Sequence, residues 1–317
     1  MSRPCLLDCD MGSDVDDALC LALALASPEL ELVGITCVGR ESRLRAQISA
    51  RLLELAGRTK IPVYAGCRVP ILGRGGFNWM GHEGEGILEP DDDPYFEDRH
   101  AVDAIEVLSR AHEGLEIVAV GPMTNLAVAL ARDPDLVSRV SRLTIMGGHL
   151  RRVEYGGQVL PYGVDYNLCS DPYASLSVLR AGFPTRLVTA DVTLQTWLRD
   201  EDVAALEATG HPLHAAIARA VRLWTPIQRR LFGQAGCDMS GDNAAFLHDP
   251  LTWACACDES FCTFEDLEVE TTIDERGVLR TLECSEVGDE TFPMRCATGV
   301  DAPRVRSYYM ERVLSLA

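Results

Sequence analysis

Pro4-Cys5-Leu6-Leu7-Asp8-Cys9-Asp10-Met11-Gly12-Ser13-Asp14-Val15-Asp16-Asp17-Ala18 opens the chain almost at its first residue. Pro4–Leu7 reads as a short buried strand, and Asp17–Ala26, rich in Ala and Leu, reads as the helix that follows it. Between them five carboxylates fall within the ten residues Asp8 to Asp17. In open α/β sheets ligands bind at the carboxyl ends of the strands, where this cluster lies. Crowded anions repel one another and raise each other's pKa. A bound hard cation such as Ca²⁺ or Mg²⁺, which takes oxygen ligands, relieves that repulsion. The plainer account is a solvated acidic turn that caps the helix, since Asp is favourable near a helix N-terminus. Asp8 and Asp10, however, precede the helix and directly follow the apolar strand, which favours a metal.

Outward from this stretch, short apolar runs keep alternating with helical periodicity, which predicts an α/β fold with a mainly parallel central sheet flanked by helices. Further strands are expected at Leu32–Val38, Ile61–Tyr64, Glu116–Val120, Leu143–Met146 and Arg186–Thr189. Helices are expected at Ser42–Leu55, His100–His112, Thr124–Arg132, Pro172–Ala181, Asp202–Thr209, Pro212–Leu231, Ala244–Cys255 and Arg304–Leu314. Phe264–Cys284 reads as a β-hairpin turning at Asp274–Gly277. Gly66–Gly76 and the acidic stretch Met80–Pro94 read as loops, the second a lid or a plain surface excursion. With no repeat, low-complexity segment or convincing linker, residues 1–317 are expected to form one domain.

The composition narrows the function. Among 317 residues 47% are hydrophobic, ample for a large core, and the net charge is −19. That charge repels phosphate backbones and anionic membranes, so neither nucleic acid nor membrane is expected as a partner. A cation or an uncharged polar small molecule fits better. The N-terminus carries charge within a few residues and lacks an apolar stretch of signal length, and no run approaches the ~18–20 apolar residues of a spanning helix. A cytoplasmic location is the expectation. The twelve cysteines are scattered, several within apolar runs, as expected of reduced, buried side chains. Cys255, Cys257 and Cys262 suggest zinc, but Cys255 and Cys257 are two apart on an expected helix and do not face together.

The acidic stretch is not an EF-hand loop, which requires alternating ligands and a Glu at its twelfth position. Nor does the chain contain the phosphate-cradling GxxxxGK[ST]. It resembles instead the DxDxGxDDA signature of the inosine-uridine-preferring nucleoside hydrolase family, with two extra residues before Asp16-Asp17-Ala18. Other segments resemble that family in the same order: Gly34-Ile35-Thr36-Cys37-Val38-Gly39, Ile61-Pro62-Val63-Tyr64-Ala65-Gly66, Gly121-Pro122-Met123-Thr124-Asn125-Leu126-Ala127, Met146-Gly147-Gly148, Asp165-Tyr166-Asn167 with Asp171-Pro172, Asp191-Val192-Thr193, and His248-Asp249-Pro250.

The resemblance implies metal-dependent hydrolysis of a ribonucleoside's N-glycosidic bond, with Ca²⁺ bound by Asp10, Asp17, the main-chain carbonyl of Val120 and Asp249. A cage of carboxylates plus a carbonyl suits Ca²⁺ better than Mg²⁺. Asp10 is then also the general base for the attacking water, whose pKa a cation lowers. Attack at the anomeric carbon passes through an oxocarbenium-like state that surrounding carboxylates stabilise. Asp16 corresponds to the ribose-binding member of the acidic pair, although the two extra residues leave Asp14 as an alternative. Met146 belongs to the substrate-contacting turn. Asp165 and Asn167 correspond to sugar-binding residues, as does Gln158. His248 corresponds to the histidine that protonates the leaving base, a role suited to an imidazole titrating near neutrality. His82 falls in a loop near the base.

The chain departs from the pattern at Met11, Arg40, Gln158 and Asp165, so sugar and base contacts differ and the substrate need not be a common nucleoside. Arg40, if it faces the pocket, favours an anionic substituent. A homodimer or homotetramer is the assembly the resemblance implies. Two rival readings compete. A phosphatase of the haloacid dehalogenase type also places Asp-x-Asp after a first strand, but Gly12 stands where it has Thr or Val. A non-catalytic Ca²⁺-dependent riboside-binding protein would not need the base Asp10.

Overall fold

The computed structural model describes residues 2–73, 77, 80–286, 288 and 291–316. The chain begins with β1 (Arg3–Cys9), α1 (Asp16–Leu25), β2 (Leu30–Cys37), α2 (Ser42–Leu55) and β3 (Val63–Ala65). Next come α3 (Ala101–Ala111), β4 (Leu115–Ala119), α4 (Thr124–Arg132), α5 (Leu136–Arg139) and β5 (Val140–Met146). A small hairpin, β6 (Val153–Tyr155) and β7 (Gln158–Leu160), precedes α6 (Tyr166–Ser170), α7 (Pro172–Leu179), β8 (Thr185–Val188) and α8 (Ala190–Thr193). The chain continues through β9 (Trp197–Arg199), α9 (Asp200–Ala208), α10 (Pro212–Gln234), β10 (Asn243–Phe246) and α11 (His248–Cys257). It ends with β11 (Cys262–Ile273), β12 (Leu279–Cys284), β13 (Thr291–Val300) and α12 (Ala302–Leu314).

Among the described residues one nine-stranded sheet organises the molecule, in the order β12-β11-β13-β8-β5-β4-β1-β2-β3. From β13 to β3 every pairing is parallel, while β11 runs antiparallel to β13 and β12 antiparallel to β11. The central strands show why. Every residue of β4 is buried, and so are the last five of β1, as expected for strands covered on both faces. One core lies between the sheet and α1, α2, α11 and α12; a second lies under α3, α4 and α7. Helix α1 is buried from Asp16 to Ala24, consistent with its near-continuous run of small apolar side chains.

The expected parallel sheet and flanking helices are therefore present, as is the hairpin: Gly277 N–H donates to Asp274 C=O at 2.8 Å between β11 and β12. Several short elements, among them α5, the β6–β7 hairpin, α6, α8 and β9, were not expected from the sequence, and two further differences are larger. Residues 244–246, expected as the first turn of a helix, belong instead to β10, which pairs antiparallel with β9. Tertiary pairing overrides the helical preference of its alanines, and the helix starts only at His248. The strand β13 was not expected; it carries Pro293 and Gly299, residues that weaken a strand pattern. Gly66–Gly73 and Met80–Pro94 are irregular as expected, and residues 74–76 of the first loop lie outside the described residues. All twelve cysteines are free; Cys255 and Cys262 bring their sulfurs to 3.5 Å but Cys257 does not join them in a hydrogen-bonded cluster.

Candidate active site

The C-terminal ends of β1, β4, β5 and β8 open onto a cavity of about 420 Å³. Two glycines permit its floor. Gly12 has φ +110°, and a Cβ there would meet Ile48 Cδ1 at 2.8 Å, so the turn after β1 folds tightly over α2. At Gly121 a Cβ would meet the backbone N and Oδ1 of Asp10, both at 2.9 Å. Only glycine lets Asp10 sit against the turn that follows Val120.

Helices α1 and α11 pack against each other with their N-termini at this floor. Their first turns carry Asp16 and Asp17 on one and Asp249 on the other. Carboxylate oxygens of Asp16, Asp17 and Asp249 all lie within 4.8 Å of one another, and all three residues are buried. Asp10 lines the same floor, and its N–H donates to Asp17 Oδ1 at 3.1 Å. Asp14 lines the cavity too but is partly exposed, and its Oδ1 accepts from Val15 N–H.

Burial, then mutual repulsion, pushes these acids up. Asp10 is raised to about 6 by burial, opposed by Arg45, and Asp14 to about 7. Asp16, Asp17 and Asp249 are raised well above the usual carboxylate range by burial and by neighbouring carboxylates, Asp10 and Asp14 among them. Behind them Arg45 is fully buried, donating to the carbonyls of Asp10 and Met11 and to Ser13 Oγ. Asp8 stands outside the cavity lining. Its Oδ1 accepts from Thr36 Oγ1 (2.6 Å) and Asn125 Nδ2 (2.9 Å), and burial lifts its carboxyl to about 7.

The adjoining wall comes from β5 and α6. Asp165 caps α6: Oδ1 accepts from Leu168 N–H (3.0 Å) and Oδ2 from Gly148 N–H (2.9 Å). Burial raises it to about 6 against those bonds. Asn167 Nδ2 donates to Val120 C=O (2.8 Å) and Met146 C=O (3.2 Å), tying the turns after β4 and β5 together. Opposite, α10 presents Trp224, Leu231 and Phe232, and α11 presents His248. His248 Nδ1 hydrogen-bonds Thr193 Oγ1 at 2.6 Å. Burial pulls its imidazole down to about 4. The ring thus stands neutral rather than titrating near neutrality.

A family profile described as inosine-uridine preferring nucleoside hydrolase matches residues 5–307. The chain belongs to this family. The hydrolase is 32% identical over 262 residues to the pyrimidine-specific ribonucleoside hydrolase RihA of Photobacterium profundum, covering 80% of this chain and 79% of that one. Its fold matches the purine-preferring ribonucleoside hydrolase of Gardnerella vaginalis with a TM-score of 0.84 at 27% identity, over 99% of both chains. It matches the plant nucleoside hydrolase PpNRh1 with a TM-score of 0.85 at 27% identity, over 99% of this chain and 100% of that one. The chain is thus an N-glycosyl hydrolase that splits ribonucleosides into ribose and base, and its family is metal-dependent. No helix among the described residues is long and apolar enough to cross a membrane.

The structure gathers ten of the hydrolase's sequence-expected residues in one cavity: Asp10, Asp14, Asp16, Asp17, Val120, Met146, Asp165, Asn167, His248 and Asp249. Three lie elsewhere. Arg40 is exposed just past β2, where its carbonyl accepts from Arg68 Nε at 3.1 Å, so it does not offer the pocket a cation. Gln158 is exposed on β7 and packs on Gly236, because the β6–β7 hairpin turns it outward. His82 stacks on Trp224 with ring centroids 5.9 Å apart, in an adjoining cleft rather than the main cavity.

Sequence reasoning missed Arg45, His149, Trp224, Leu231 and Phe232. Trp224, Leu231 and Phe232 are spaced i, i+7, i+8 on one helical stripe, a legible signal. Arg45 sits in an ordinary-looking amphipathic helix and leaves no local trace.

Proposed function

We propose that Asp10, Asp17, Asp249 and the Val120 carbonyl hold one Ca²⁺, with Asp10 the general base and His248 facing the leaving base. The observation that carries this reading is the buried convergence of aspartates from two helix N-termini. The donor set fits a hard divalent cation: carboxylates and a carbonyl, with burial and repulsion raising their affinity for a proton or a metal. When bound, such an ion lowers the pKa of a water and gathers the sugar's hydroxyls.

The chain's own residues supply the rest. The Asp10 carboxylate takes the proton from the attacking water. Asp16, buried within the floor cluster, takes the ribose hydroxyls in preference to the more open Asp14. Asp165 and Asn167 hold the sugar's other edge, and Met146 lies beneath it. The floor acids oppose the positive charge that develops on the sugar ring in the transition state. His248, neutral and held by Thr193, offers a hydrogen bond to the departing base. Trp224, Leu231 and Phe232 give that base an apolar, aromatic wall on which a planar ring stacks.

The substrate is a ribonucleoside with an uncharged base, because acids crowd the site and Arg40 lies outside it. The same reading expects one domain over residues 1–317, a homodimer or homotetramer, and a cytoplasmic location. The test is reducing-sugar release from a panel of ribonucleosides, with Ca²⁺ and with chelator. Release that needs Ca²⁺ and vanishes in Asp10→Ala supports the assignment. Undiminished release by Asp10→Ala or in chelator defeats it.

A further inference from the structure

We propose that His149 sets specificity in this hydrolase, its imidazole Nε2 hydrogen-bonding the 5′-hydroxymethyl arm of the bound ribonucleoside. The inference rests on the assignment above of the sugar's cis-diol to the carboxylate floor.

The order of strands around the cavity gives the direction. Asp10 and Asp17 follow β1 and Val120 follows β4, whereas His149 follows β5 and borders Ala190 and Leu194, which follow β8. The diol end therefore lies on the β1–β4 flank. The opposite edge of the sugar, which bears the hydroxymethyl arm, faces the β5–β8 flank.

Asp165 and Asn167, assigned above to the ring edge, and Tyr166 are the other polar side chains of that flank. Leu160, Val164, Ala190 and Leu194 are apolar. Each oxygen of Asp165 accepts one backbone N–H and keeps a lone pair for the sugar ring, while the Asn167 amide nitrogen is given to two carbonyls. Gln158, which the sequence pattern offered for the sugar, points away. His149 is 5% exposed, lines the cavity, and has a buried Nε2 that finds no hydrogen-bond partner among the described residues. A buried nitrogen left unpaired costs free energy that a ligand hydroxyl recovers.

The residue is also held in place. Its N–H donates to Thr281 Oγ1 at 3.1 Å, and its carbonyl accepts from Gly163 N–H. The backbone that carries the ring is thus held before a substrate arrives, and burial of the side chain limits the ordering required on binding. Burial lowers the imidazole's pKa, opposed by Asp191 and by the backbone of Val164 and Arg151; in the neutral ring Nε2 either donates to or accepts from a hydroxyl according to tautomer.

The test compares inosine with 5′-deoxyinosine and uridine with 5′-deoxyuridine, in Ca²⁺, for wild type and His149→Phe. Wild type is expected to favour the hydroxylated member by about ten- to hundredfold in kcat/KM, as for a site built around a hydroxyl. In His149→Phe that ratio falls to near one, while His149→Gln, which keeps an amide at similar reach, retains most of it. Should His149→Phe not fold, His149→Met carries the same comparison. A wild-type ratio near one, or a ratio unchanged in the apolar variant, overturns the role of His149 while leaving the hydrolase assignment intact. Failure of wild type to cleave either hydroxylated nucleoside would instead count against the metal-site reading on which this inference rests.

Discussion

At the N-terminal ends of β5 and β8, Glu259 lies among Arg186, Arg142 (3.2 Å) and Arg295 (2.8 Å). At the C-terminal end of the same sheet, Asp10, Asp14, Asp16, Asp17 and Asp249 crowd together, and among the described residues the cation set against them is Arg45. The first carboxyl is held below its usual range, burial being outweighed by the arginines. The others are all raised. One end answers its own charges within the fold. The other is left short of positive charge, which the proposed metal would supply, and this separates an acidic binding site from an acidic surface.

The strongest way to break this contrast is Asp17→Asn. Removing one of several repelling carboxylates should not lower stability in chelator; the melting temperature is expected to stay level or rise. Saturating Ca²⁺ at about a hundred times Kd should stabilise wild type by about 2.7 kcal/mol, and the variant by much less. Turnover should fall on the order of 10³-fold, because the group acts with the rest of the floor as a unit. Calorimetry with and without Ca²⁺ checks the first claim and ribose release the second. A variant that melts much earlier in chelator would mean the fold already satisfies Asp17 and the contrast is false.

At the other end, Glu259→Gln should act in the opposite sense. It leaves Arg186, which is buried, without its carboxylate. Because Glu259 itself is partly exposed, the loss is expected at about 1–2 kcal/mol rather than the larger cost of a fully buried pair. Ribose release at a temperature where both proteins are folded should not change. The pH dependence follows from the lowered carboxyl. The folded state binds fewer protons than the unfolded, so this stabilisation is fully present above the ordinary glutamate pKa. It fades as pH falls through the lowered folded value, and denaturant melts of the two proteins should therefore converge in acid. A constant gap from neutral pH down through the acid range would show that Glu259 contributes packing and not charge.

The same two ends differ in how much the sequence disclosed. The carboxylate floor was legible because Asp10 to Asp17 are local: one strand and one turn place them, and the apolar run before them fixes which sheet edge they occupy. Asp249 was reachable only through the resemblance, since it arrives from a helix more than two hundred residues away. Even there the chain hid its device, because the alanines at 244 and 245 read as helix while β10 pairs with β9 and sets His248 and Asp249 at a helix start. His149 and Arg45 were invisible for a different reason. Each matters through burial against distant segments, Thr281 and Gly163 for one, Met11 and Ser13 for the other, and no periodicity records that. The arginines around Glu259 likewise come from β5, β8 and β13, and no local pattern in the sequence brings them together.

The smallest expected effect sharpens the contrast by asking which arginine belongs to it. By sequence Arg40 was a candidate cation of the pocket; in the fold it is exposed past β2, while Arg45, one turn into α2, is the buried one. Arg40→Asn should therefore change kcat/KM for a neutral ribonucleoside by less than about twofold, as for a surface substitution that costs well under 1 kcal/mol. It should also leave any preference between neutral and anionic nucleosides where it was. Salt helps to interpret the result: an exposed charge more than about 10 Å from the reacting centre is screened near 0.1 M ionic strength. If Arg40→Asn changes rates only at low salt, the side chain acts on the approach of substrate at long range. If it changes them equally at high salt, Arg40 reaches the substrate directly, and the floor is not as short of positive charge as its raised carboxyls imply.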